Sequence, residues 1–150
     1  MMKLASTLLW SMGGLLLITS GAKIISALGN APALLNSDPI LLVSFRTEFF
    51  IVGVIELLVG SVCLTHNDVR FRAWLVAWLS TAFVVYRTGL WAIGWRKPCA
   101  CLGNLAGALG IPAHAADTAM KIILIYLLIS SYMILIWLWR QPEKAPVSGT

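Results

Sequence analysis

The sequence predicts an all-α integral membrane protein, a four-transmembrane-helix bundle with both termini on the same side. Three observations lead there. Hydrophobic residues fill 59% of the 150 positions and charged residues only 11%, whereas a soluble domain carries roughly a quarter charged residues. The apolar residues gather into four stretches, each in the length range of about 17–25 residues that crosses a hydrocarbon core as helix. Turn and breaker residues fall between these stretches, and an even number of crossings returns the chain to the side from which it started.

The four spans are expected at about residues 4–28, 48–65, 73–94 and 120–139, together forming one membrane domain over residues 1–140. The first follows Met1-Met2-Lys3. It runs on past Lys23 without a clean A-x-A cleavage site, so an uncleaved helix is expected rather than a signal peptide. Thr7, Gly14 and Gly21 recur every seven residues and predict a face for close helix approach. A loop follows, rich in Asn30, Pro32, Asn36, Ser37 and Pro39; its middle, Ile40-Leu41-Leu42-Val43, reads as a short interfacial turn of helix.

The second span carries Glu56 near its middle, and Gly53, Glu56 and Gly60 lie on one helical face. A carboxylate facing lipid is costly, so that face is expected to point into the bundle. His66 to Arg72 is a short polar connection. In the third span Ser80, Phe83, Arg87 and Trp91 share a face. Arg87 lies about two turns before the span ends and needs a carboxylate or a route to the interface. The loop from Trp95 to about Asp117 holds Cys99 and Cys101. The last span is anchored by Lys121 at one end and Trp137, Trp139 and Arg140 at the other. Residues 141–150, with Pro142 and Pro146, are expected to form a polar, disordered tail.

The formal net charge is +5. The basic residues are scattered at helix ends, which suits lipid head groups and not nucleic acid. They divide almost evenly between the two sides, so charge does not orient the chain.

Cys99-Ala100-Cys101 is the stretch that carries chemistry. Two cysteines one residue apart can close a small, strained disulfide ring, exchange with a partner's disulfide, or act as two soft metal ligands. Arg96 and Lys97 immediately precede them and favour the thiolate, the attacking form. Pro98 stiffens the approach, and Gly103 frees the exit. Disulfide chemistry places this loop in an oxidising, extracytoplasmic space. Cys63, in the second span, reads as a small buried apolar residue. With four spans, Lys23, Glu48, Arg87 and the cysteine pair fall at one end of the bundle. Glu56 lies about 12 Å deeper than Glu48 at 1.5 Å per residue. Opposite charges from three helices thus gather beneath a thiol pair.

These residues also carry a resemblance. Gly21-Ala22-Lys23 resembles the G-x-K element, Glu56-Leu57-Leu58-Val59-Gly60 the E-L-x-x-G element, and Cys99-Ala100-Cys101-Leu102-Gly103 the C-x-C-x-G element of the MauE branch of the DoxX-like, redox-associated membrane proteins. Ala100 stands where Gly or Pro is commoner. The resemblance covers about Leu4 to Trp139. It implies a four-helix protein of a bacterial inner membrane that serves thiol–disulfide redox or maturation of extracytoplasmic proteins beside a thioredoxin-like partner. By analogy with other four-helix disulfide enzymes, a bilayer quinone is the carrier to consider for the electrons. Nothing points to methylamine itself.

Two other function classes remain open at this point. One is a non-enzymatic membrane assembly factor in which the cysteines form a structural staple. The other is a small transporter or metal-handling protein, with Cys99, Cys101 and His114 holding soft copper; no Met-rich run or H-x-x-H accompanies them. No Walker loop, Ser/His/Asp set or zinc-spaced cysteine quartet is present.

Overall fold

The computed structural model describes residues 2–29, 32–95, 110 and 112–141. It contains four helices long and apolar enough to cross a membrane. These are α1 (Met2–Leu28), α2 (Phe45–Thr65), α3 (Val69–Ala92) and α4 (Ala113–Trp139), with a 3-10 turn at Pro32–Leu35 between α1 and α2. The protein is an integral membrane protein. Large apolar side chains such as Ile18, Ile25, Trp74, Ile122 and Met133 are exposed along the outer helix faces, as a bundle solvated by lipid requires.

Three helices begin several residues before the apolar runs do, and local chemistry explains two of these starts. Asp68 caps α3, its carboxylate accepting from Arg70 N at 2.8 Å and Phe71 N at 3.4 Å; the polar residues Arg70 and Arg72 therefore form the first turn. Ser44 caps α2 through Thr47 N. The third, α4, starts at Ala113 after Pro112, so Asp117 is helical and not part of a loop. Helix α3 stops in a Schellman motif: Trp95 N donates to Leu90 O, Gly94 N donates to Trp91 O, and Gly94 takes φ +75°, a conformation that suits glycine. Ile40–Val43 is a tight non-helical turn in which Leu42 has φ 56°.

Helix α1 packs chiefly on α2, and α3 chiefly on α4; the two pairs meet each other less extensively. The close approach of α1 and α2 uses Gly13, Gly60 and Gly53. A Cβ on Gly13 would sit 3.0 Å from Cys63 Cβ and 3.2 Å from Gly60 O, and one on Gly60 would sit 3.1 Å from Gly13 O. The glycines predicted for this role in the first span, Gly14 and Gly21, instead face open space. The seven-residue recurrence was real, but the contact seam of α1 lies one residue away from it. In α2 the expected face is the buried one, with Gly53, Glu56 and Gly60 all inside. In α3 the expected stripe splits: Ser80 is buried, whereas Trp91 is 75% exposed.

The apolar core fills the half of the bundle nearer the chain ends. Leu9, Met12, Cys63, Val76, Leu127 and Ile134 meet there from all four helices. Cys63 is fully buried in this core, as a small apolar residue would be. Ser11 and Tyr126 hydroxyls join α1 to α4 at 2.7 Å.

Candidate functional site

Among the described residues, the opposite half of the bundle holds the buried charges other than Arg72. Near the end of α1, Lys23 points inward and pairs with Glu56 of α2. Both are buried, at 6% and 2% exposure. The ammonium also lies 5.2 Å from the Phe83 ring centroid of α3, a cation–π contact strengthened where water is excluded. A buried pair of this kind offsets the cost of desolvating each partner; removing one leaves the other charge stranded.

Two turns toward the loop, Glu48 is buried on the first turn of α2. Tyr86 of α3, which lines the same cavity, donates to Asp38. Asp38 is the knot of the α1–α2 loop. Its Oδ1 accepts from Ile40 N and Leu41 N, both at 2.7 Å. Its backbone N donates to Val43 O, and its carbonyl accepts from Leu42 N. These bonds hold Leu42 in its left-handed conformation, which costs a non-glycine residue about 1–2 kcal/mol.

Arg87, the next residue of α3, finds its carboxylate on α4: Nη2 lies 2.7 Å from Asp117 Oδ1. Lys121 pairs with Asp117 Oδ2 at 2.6 Å from one helical turn further on. Three helices therefore place Lys23, Glu48, Glu56 and Arg87 at one end of the bundle, with Lys23–Glu56 and Arg87–Asp117 as separate ion pairs.

These groups border a cavity of about 280 Å³ between the helix pairs. Thr19, Lys23, Glu48, Glu56, Tyr86 and Arg87 supply its polar wall, and apolar side chains such as Val52, Ile55, Leu79, Ile123 and Leu124 supply the rest. The arrangement can seat an apolar molecule with a polar end. It also lines up groups that can hold a proton, from Glu56 and Lys23 through Glu48 and Tyr86 to Asp38.

Cys99, Cys101, Gly103, Arg96 and Lys97 lie outside the described residues. The connection that contains them leaves α3 after Trp95 and enters α4 at Ala113, at the same end of the bundle as the charges. His114 is exposed on the first turn of α4. Asp38, Tyr86 and Asp117 were missed by the sequence reading. The Asn36-Ser37-Asp38-Pro39 run was a turn signal in which Asp38 was the side chain suited to bind its own backbone. Asp117 was within reach once Arg87 needed a partner. Tyr86 gave no signal in a span already rich in aromatics.

At the other end of the bundle Arg72 is 3% exposed, and its Nε and Nη2 find no acceptor among the described residues. Compared with known proteins, the chain matches one family model, described as methylamine utilisation protein MauE, over residues 1–140. No curated protein and no solved structure matches it.

Proposed function

The chain belongs to the MauE family, and we propose that it supports thiol–disulfide exchange or maturation of extracytoplasmic proteins through Cys99 and Cys101, with a thioredoxin-like partner. One observation carries this reading. Lys23, Glu48, Glu56 and Arg87 are buried or half-buried at the end of the bundle where the cysteine-bearing connection departs and returns. Buried charges in a membrane protein are expensive and mark functional regions.

The chemistry is conservative in atoms and electrons. The thiolate of one cysteine attacks a sulfur of the partner's disulfide, forming a mixed disulfide and releasing one partner thiolate. The second cysteine then attacks the first, closing the Cys99–Cys101 bond and releasing the partner as a dithiol. Run backwards, the same steps oxidise the partner. Arg96 and Lys97 hold the thiolate, and Gly103 gives the chain the freedom to turn after the pair. The loop then faces the extracytoplasmic side of a bacterial inner membrane.

The test is a non-reducing gel of Cys99→Ser and Cys101→Ser from cells quenched in acid. One of the two is expected to trap a partner as a mixed disulfide, and the wild-type pair is expected to move between dithiol and disulfide as reductant and oxidant are varied. If neither variant traps a partner and the pair stays in one state, the cysteines are a staple or metal ligands. A membrane-impermeant maleimide applied to intact cells after mild reduction checks the orientation.

A further inference from the structure

The cavity at the charged end has an imbalance in its polar wall. Glu48 Oε2 and Glu56 Oε2 are buried and receive no hydrogen bond from any described residue. Both side chains belong to residues more than nine-tenths buried, and both line the cavity. Leaving a buried acceptor unpaired costs about 1–3 kcal/mol, more for a charged group. Lys23 fills neither gap: its ion pair is with Glu56 Oε1.

The remaining walls are apolar apart from Thr19, whose hydroxyl donates to Leu16 O, and the cavity reaches the outside. Trp78 and Ala82 line it and are also exposed on the outer surface of α3, which in a four-span bundle faces hydrocarbon. Entry is therefore from the bilayer. A volume of about 280 Å³ exceeds the roughly 150 Å³ that admits benzene in an engineered protein cavity, so a substituted ring or a short-branched head fits with room for the first methylenes of a tail.

We propose that this cavity binds a lipid-soluble molecule with a hydroxylated head. Its O–H groups donate to Glu48 and Glu56, and its tail leaves past Trp78 into the bilayer. Hydroxyl donors are the chemistry that satisfies two buried carboxylate oxygens, and an O–H to carboxylate bond is of the stronger, charge-assisted kind. A membrane supplies such heads from two sources, the dihydroxylated ring of a quinol and the free hydroxyl of a glyceride. The proposal stands on the cavity alone and does not depend on the cysteine chemistry.

The experiment is equilibrium binding of radiolabelled decylhydroquinone to the full chain in detergent, measured against protein-free micelles. Three competitors separate the possibilities. Unlabelled decylhydroquinone is expected to compete at a single saturable site. Its dimethyl ether, of similar shape but without donors, is expected to compete about tenfold less well or worse, the effect of losing a charge-assisted hydrogen bond. Dioctylglycerol decides the source: displacement stronger than that by decylhydroquinone assigns a glyceride, and weaker displacement assigns a ring. Ala82→Trp, a change at the exposed rim, is expected to abolish binding with helicity by circular dichroism unchanged. Equal competition by the ether would overturn the donor argument. Absence of saturable binding by both decylhydroquinone and dioctylglycerol, or full binding in Ala82→Trp, would overturn the site. None of these readouts involves a thiol, so failure here and failure of disulfide trapping are told apart.

Discussion

The two halves of the bundle are built from the same four helices on opposite rules. Toward the chain ends, Leu9, Met12, Cys63, Val76 and Ile134 close a continuous apolar core, and Gly13 and Gly60 let α1 and α2 touch backbone to side chain. Toward the cysteine connection, the two helix pairs separate around a cavity and line it with ion-paired and hydrogen-bonded groups. Close packing holds the first half together. The second half spends that packing on charges that stabilise little by themselves, because a buried ion pair roughly breaks even against apolar residues of the same volume. The difference teaches that the chain-end half, Arg72 apart, is held by apolar packing, whereas the cavity half gives up packing to bury polar groups.

The comparison is broken most severely by removing one charge. Lys23→Met is expected to cost about 3–5 kcal/mol, because Glu56 is left buried without its partner. The measure is the midpoint of denaturant unfolding in detergent. The double variant Lys23→Met/Glu56→Leu sharpens the contrast: it is expected to recover most of that loss while remaining unable to perform the proposed exchange. A double variant that is both stable and active would leave the pair with no role beyond packing.

The next largest effect belongs to the apolar half. Gly60→Val puts a side chain where Gly13 O is only 3.1 Å from the new Cβ, and overpacking of this kind costs about 1–3 kcal/mol. Gly14→Val, one residue from the seam and facing open space, is expected to leave the unfolding midpoint near the wild type. A similar cost for both would mean that α1 is not seated on α2 as described.

How legible these halves were depends on what each residue had to signal. Four spans, the inward face of Gly53, Glu56 and Gly60, and the gathering of Lys23, Glu48 and Arg87 at one end all follow from periodicity and parity, and the structure has them. The helix starts were harder. Asp68 extends α3 into charged residues that a hydropathy reading assigns to a loop. The seam of α1 was misplaced because Gly13 and Gly14 are adjacent, and a small residue alone does not say which way it faces. The partners of the charges were hidden as well. Asp38 and Asp117 come from segments outside the apolar runs, and only the folded chain brings Asp38 to Tyr86.

Two smaller effects complete the series. Asp68→Ala removes the cap of α3 and is expected to cost about 0.5–2 kcal/mol, with Asp68→Asn largely neutral by the same denaturant measurement. Cys63→Ala, in the apolar core, is expected to cost no more than about 1 kcal/mol, about the value of one buried methylene-sized group, and to leave disulfide trapping by the other cysteines unaffected. A trapping defect in Cys63→Ala would tie the two halves together chemically.

The Asp38–Tyr86 contact has a mechanical meaning. Asp38 belongs to the loop that joins α1 to α2, and Tyr86 belongs to the α3–α4 pair. The bond therefore works as a rivet between two hairpins that otherwise touch sparingly. A slide of one hairpin along the other by a single helical turn, about 5.4 Å, would shear it. A rotation about the rivet would not. Any widening of the cavity mouth that preserves this bond is thus a scissoring of the two hairpins about Asp38, with the seam between α3 and α2 parting while the loop stays where it is.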